Sequence, residues 1–410
     1  MPNSITARLS FMMFLNFVIW GCWYVTIGTY LTATLKFSGT QTGAIFGTTA
    51  LASMISPLFV GLIADRFFSS ERVLAALHLL GALFLYLVTH TTSFGAVYVL
   101  MFVYCLCYFP TLALTTSITL KNVPDARRFP LIRVFGTIGW IAIGLSIGKL
   151  GIEASPAPFL IASAASVVMA VFCLFLPHTP PPNKGRAMSV RQILGFDALV
   201  MLKDRAYSIF LIASVLACIP LTFYFSFTNA FLNDVGVVNA AGKMTLGQFS
   251  EVLVMLAMPF IFKRVSVRGI LLLGLVAWSV RYALLAYGNV SDRMWMFYLA
   301  IIIHGVCYDF FFMTGQLYTD QEAPASSRNT AQGMYTFVTY GVGMFLGSLL
   351  SGGALDFFTS KTRDVLARDW TSFWTSSSTA AFLLFLVFAF LFKSRRMIQK
   401  QETEALAEVA

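Results

Sequence analysis

The stretch IIIHGVCYDFFFMT, residues 301–314, sets His304 and Asp309 among apolar neighbours. Glu251, Arg133 and Arg281 stand in surroundings just as apolar. A charge at the centre of a membrane-spanning helix costs about 2.5–3.5 kcal/mol on insertion scales. Side chains held at that cost point to function. A low dielectric disfavours a bare carboxylate, so a carboxyl group there can take up and release a proton near neutral pH. Asp309 and Glu251 are therefore both candidate proton carriers, and the residues alone do not choose between them. Arg281 is placed to neutralise either acid.

Spacing gathers polar partners around these charges. Gln248 and Glu251 are three residues apart and share one helix face. Arg133, Thr137 and Trp140 fall at i, i+4 and i+7, again one face. His304 and Tyr308 are four apart, and Tyr308 adjoins Asp309. Asn16, Trp20 and Trp23, with Tyr108, Thr111 and Thr115, add hydrogen-bonding groups beside aromatic rings. Such walls suit a solute with a flat ring and hydroxyls. Stacking a base on an aromatic side chain is worth about 1–3 kcal/mol.

The elements that position these residues follow from composition. The chain has 410 residues, 58% hydrophobic and 11% charged, against about 25% charged in soluble domains. A bilayer-spanning helix needs about 20 mainly apolar residues. Twelve such stretches occur, at 10–32, 42–63, 73–90, 94–119, 130–151, 157–176, 206–232, 245–262, 269–287, 293–317, 331–355 and 370–393. The fold expected is all-α and integral to the membrane, with twelve transmembrane helices in two six-helix bundles. The bundles are 1–180 and 206–410, joined by a polar cytoplasmic loop, 181–205, that opens on a Pro-rich run. Within that loop VRQILGFDALVML reads as a short amphipathic helix. Asp309 lies about 15 Å from the inner end of its helix, and Glu251 about 18 Å, at 1.5 Å per residue. Transporters place substrate and coupling-ion sites at such mid-depth.

The net charge of +10 is distributed by topology and does not imply nucleic acid. Lys and Arg concentrate in the connections on one side, which places both termini in the cytoplasm. The six cysteines all fall inside apolar spans and are expected free, as packing residues. Neither a metal nor a cofactor is expected: no Cys/His set has zinc-like spacing, and there is no G-x-x-x-x-G-K-[ST] nucleotide loop. Uphill transport would draw on a gradient. A membrane-embedded enzyme using His304, Glu251 and Asp309 is a second class, disfavoured because no nucleophile–His–acid set accompanies them.

After the second span, GLIADRFF carries Gly61, Asp65 and Arg66, the G-x-x-x-D-R core found between the second and third helices of the major facilitator superfamily. Asp65 and Arg66 are read as a charged latch of the inner gate. RFPLIRVFGTIGW, MTLGQFSEVLVMLAMPF, RYALLAYG, HGVCYDFFF and RNTAQGMY, in this order, resemble the nucleoside:proton symporter family within that superfamily. The resemblance implies proton-coupled import of nucleosides across a bacterial inner membrane by alternating access; a monomer in the bilayer is expected. It implies that Arg133 and Thr137 line the site, that Trp140 stacks on the base, and that Gln248 and Glu251 hydrogen-bond the solute. Tyr308 supplies a ring, and Asp309 is the leading proton-coupling acid. Where better-known members carry Gln and Asn on the seventh helix, alignment puts Thr222 and Phe225 here, and these two with Asp309 complete the nine residues expected to bind the solute. That departure removes the donor and acceptor an amide offers a base edge and leaves base preference open. The alternative cargo is another polar solute: a sugar, glycoside or drug.

Overall fold

Backbone in lipid must satisfy its own hydrogen bonds, so apolar runs of this length fold as helices. The structure, a computed structural model, describes residues 2–59, 67–123, 125, 128–181, 196–324, 328–362 and 365–392. The first half holds α1 (Ser4–Thr34), α2 (Gly39–Phe59), α3 (Ser70–Val88), α4 (Phe94–Asn122), α5 (Phe129–Leu150) and α6 (Ala157–Phe175). The second holds α7 (Arg205–Asp234), α8 (Ala240–Phe262), α9 (Val267–Tyr287), α10, α11 (Thr330–Phe357) and α12 (Trp370–Leu391). Helix α10 is Met294–Ile302 followed, after a 40° bend, by His304–Glu322.

Ten of these helices are each long and apolar enough to cross a membrane, and the bent α10 makes eleven. Helix α2 matches them in length at 21 residues but is rich in Thr, Ser and Gly. It packs between α4 and α11, and Thr48, Thr49 and Ser53 return their hydroxyls to carbonyls of their own helix. Protein and helix backbone thus absorb polarity that lipid would not.

Local chemistry sets several helix ends. The Asp204 carboxylate accepts from Tyr207 N at 2.9 Å and opens α7. Ser266 and Asp369 start α9 and α12 in the same way. Gly151, at φ 65°, closes α5 in the left-handed region that glycine tolerates. Most buried apolar side chains between residues 9 and 176 form one packed core, and most of those between 198 and 392 another. All six cysteines are free and buried.

Some features have no counterpart in the sequence reading. Among the described residues, three π turns interrupt the helices, at Tyr30–Thr34, Asp309–Met313 and Phe337–Gly343. A two-stranded antiparallel hairpin, β1 (Thr359–Thr362) and β2 (Val365–Arg368), joins α11 to α12 with Thr359 opposite Arg368. The described part of the expected amphipathic segment is a 3-10 helix, Phe196–Lys203. The expected latch residues Asp65 and Arg66 lie outside the described residues.

The halves are tied together at one end of the molecule. Glu153, buried between α5 and α6, accepts from Asn229 Nδ2 and Asn233 Nδ2, each at 2.7 Å, and from Ala241 N at 2.9 Å. All three donors belong to the second half. Asp356 accepts from the backbone of Gly39 and Thr40, where a helix N-terminus favours a carboxylate. The Thr29 hydroxyl donates to Asn229 Oδ1, and Arg368 reaches the carbonyl of Thr32. Among the described residues, the other hydrogen bond between the halves runs from Ser53 Oγ to the Tyr340 carbonyl, 3.3 Å.

Candidate functional site

Between the halves lies a cavity of about 240 Å³. It is slightly smaller than the ~300–1,000 Å³ of ordinary ligand pockets. Seven of the nine expected substrate residues line it: Arg133, Thr137, Trp140, Phe225, Gln248, Glu251 and Tyr308. The three-residue and four-residue spacings read from the sequence therefore do face one space.

The first bundle supplies an aromatic wall and a cation. Trp140 meets Trp20 edge-on at 5.2 Å, with Tyr24 at 6.1 Å, and Tyr24 in turn contacts Phe225 at 5.6 Å. The Arg133 guanidinium sits 4.2 Å from the centre of the Phe17 ring, held by its π face. The indole Nε1 of Trp20 is buried without a protein hydrogen-bond acceptor.

The second bundle supplies the acid. Close contact between α8 and α10 sets its position. A Cβ on Gly305 would lie 2.6 Å from the Ser250 carbonyl, so glycine lets the helices approach. Gly247 sits against the Cβ of His304 in the same seam. The approach leaves His304 Nε2 3.9 Å from Glu251 Oε2, too long for a hydrogen bond. Glu251 keeps 28% of its side chain exposed, toward the cavity it lines. On α11, the Tyr340 hydroxyl hydrogen-bonds that of Tyr308, joining the π turn of α11 to the residue that precedes the π turn of α10.

Two expected residues stand elsewhere. Thr222 is buried, and its hydroxyl donates to the Cys218 and Ile219 carbonyls of its own helix. It abuts Gly347 of α11, where a Cβ would overlap its Oγ1. Asp309 is 1% exposed and also outside the lining, one residue beyond Tyr308 where α10 enters its π turn. Its Oδ2 has no hydrogen-bond partner. Among the described residues, no Lys or Arg lies within ion-pair distance of Asp309 or Glu251.

Arg281, expected to neutralise one of the acids, pairs with neither. Its Nη1 donates to His304 Nδ1 at 2.8 Å, and its guanidinium lies 3.3 Å from the centre of the Tyr224 ring. Asn16, Tyr108 and Thr111 form an internal tie between α1 and α4: the Tyr108 hydroxyl donates to the Asn16 carbonyl at 2.6 Å, and the Thr111 hydroxyl to Asn16 Oδ1 at 3.1 Å. Trp23 donates its indole N–H to the Tyr104 hydroxyl at 2.9 Å.

Sequence reasoning missed Thr49 and Ser53 of α2, Tyr24 of α1 and Tyr340 of α11, all in the wall. A signal existed for the first two. They are four residues apart on a span rich in Thr, Ser and Gly.

Known proteins resemble this chain over nearly its whole length. A family model described as nucleoside H+ symporter matches residues 3–397. The putative nucleoside transporter YegT of Escherichia coli K12 is 41% identical over 95% of this chain and 94% of its own length. The xanthosine permease of the same organism is 32% identical over 95% and 96%. The crystal structure of the nucleoside transporter NupG superimposes with a TM-score of 0.88, at 30% identity, covering 95% of this chain and 100% of that one.

Proposed function

The chain belongs to the nucleoside H+ symporter family, and from that premise we propose how its residues carry a nucleoside and a proton across the membrane together. The protein is a multi-pass membrane transporter of the bacterial permease kind and not an enzyme. The observation that carries the assignment of roles is the pair of acids at mid-depth. One stands in the wall of the cavity between the bundles and one lies just behind it, with no basic partner within ion-pair distance among the described residues.

In this reading the nucleoside base stacks on the Trp140 wall. Arg133, Thr137, Gln248 and Glu251 hydrogen-bond its polar edge and its sugar. Phe225 and Tyr308 close the aromatic side. Asp309 carries the coupled proton. Protonation removes a charge that the low-dielectric surroundings disfavour, so the loaded carrier can rearrange without an exposed carboxylate at its centre. Thr222 serves the α7–α11 contact. In this reading the protein works as a monomer in the bacterial inner membrane; the concentration of Lys and Arg on one side supports cytoplasmic termini. The end tied by Glu153 is then the outer gate, and this conformation is closed to the outside.

Reconstituted in proteoliposomes under an imposed pH gradient, the protein is expected to accumulate radiolabelled nucleosides. Unlabelled nucleosides should compete, sugars should not, and a protonophore should abolish the gradient of solute. Uptake of a sugar that no nucleoside displaces would overturn the substrate assignment.

The outer gate gives a separate prediction. Hydrogen bonds to a charged group contribute about 1.5–3 kcal/mol each, and Glu153 holds three between the halves. Glu153→Ala is expected to raise the outward-open population by at least about tenfold, which about 1.4 kcal/mol suffices to do. Spin labels at positions 154 and 238, on opposite halves of this end, report it as a second, longer distance. An unchanged distance distribution would remove Glu153 from the gate.

A further inference from the structure

We propose that Arg281 is a positioning residue that fixes the tautomer of His304, so that His304 presents a permanent Nε2–H donor at the cavity and is barred from carrying the proton. The inference deepens the symporter reading but rests on hydrogen-bond chemistry that holds whatever the cargo.

The argument begins with what a guanidinium can do. Arginine offers five N–H donors and no acceptor. Its Nη1 lies 2.8 Å from His304 Nδ1, so Nδ1 must accept. The single proton of a neutral imidazole is then on Nε2, the nitrogen that faces Glu251 Oε2 across 3.9 Å. A second proton on Nδ1 would break the bond and set two cations against each other inside the protein. His304 is thus a donor at the cavity and nothing else. Its neighbours enforce the pose. From α7 the Tyr224 ring stacks on the imidazole, 5.4 Å between centroids at 23°. From α8 Gly247 packs against its Cβ, and Glu251 is the acidic group facing it. On α10 itself Tyr308 lies 5.9 Å away at 29°.

The state of Arg281 supports a working role. The residue is 0% exposed, and its Nε and Nη2 have no hydrogen-bond acceptor. No carboxylate among the described residues neutralises it. A buried, uncompensated cation is costly, and a packing role at this place would be met by Met or Leu. What Arg281 does that they would not is donate to Nδ1 while its flat face rests on Tyr224. The consequence falls on the known reaction. With His304 locked as a donor and Glu251 as an acceptor, the two oppose each other at a gap too wide to satisfy both, and each stays free to meet a polar group of the solute.

The test reads the tautomer directly, without substrate. Nitrogen NMR of the imidazoles in 15N-histidine protein, with His304 assigned by subtraction of a His304→Gln spectrum, is expected to show protonated Nε2 and bare Nδ1 near neutral pH. Arg281→Lys retains a donor and should keep that spectrum. Arg281→Met should populate the Nδ1–H form and raise the transport KM about tenfold, with Arg281→Lys returning it close to the native value. A native spectrum with a proton on Nδ1, or an Arg281→Met spectrum identical to the native one, overturns the proposal. Should Arg281→Met fail to fold, the native spectrum alone decides. Failure here leaves nucleoside transport standing, and failure of nucleoside uptake leaves the tautomer assignment standing.

Discussion

Asp309→Asn is expected to abolish accumulation of nucleoside against a gradient while sparing exchange of labelled for unlabelled solute. Asparagine matches aspartic acid in size and can still donate a hydrogen bond, as the protonated carboxyl does, but it cannot release a proton. The variant should behave as a carrier locked in its loaded form. A pH gradient of about one unit is worth about 1.4 kcal/mol per proton, hence about tenfold accumulation in the native protein. The variant should settle at equal concentrations inside and out. Because Asp309 lies behind the cavity wall, with Tyr308 and not itself in the lining, binding affinity should change little. Measuring uptake under a pH gradient beside counterflow at equal pH separates the two effects. Concentration of nucleoside by Asp309→Asn to the native level would mean that another group carries the proton.

Local periodicity explains why much of this site was legible in the sequence. Arg133, Thr137 and Trp140 share a face by helix geometry alone, and they reach the cavity together. So do Gln248 with Glu251, and His304 with Tyr308. Where helices contact one another, the pattern fails. Thr222 was placed by alignment, yet the rotation of α7 is set by α11, whose Gly347 leaves room for the Thr222 side chain. Asp309 is about 100° around the helix from Tyr308, since an α-helix turns once in 3.6 residues, and a π turn begins there. Wall and relay position cannot both face inward on one α-helical surface. The partner of Arg281 was missed for the same reason: opposite charge suggested an acid, but α9 meets α10 where His304 stands. The Glu153 tie is wholly tertiary. Its partners lie 76, 80 and 88 residues away, and no local pattern marks it.

Glu251→Gln is expected to weaken binding without dissolving coupling. Glu251 stands in the cavity wall with part of its side chain exposed, and His304 is too distant to satisfy it. Its acceptor capacity is left for the solute. Hydrogen bonds to a charged group are worth about 1.5–3 kcal/mol, and glutamine keeps the size and one acceptor oxygen but no charge. Nucleoside Kd should therefore rise about 10–100-fold, read by calorimetry on purified protein. Coupling should survive: once substrate is raised to offset the weaker binding, a pH gradient should drive the native accumulation ratio. The two acids are distinguished by this contrast. If Glu251 carried the proton, saturating substrate would not restore accumulation, and Asp309→Asn would not abolish it. If Glu251→Gln left Kd unchanged, the carboxylate would not be a substrate ligand, and the polar recognition of the cargo would rest on Arg133, Thr137 and Gln248 across the cavity.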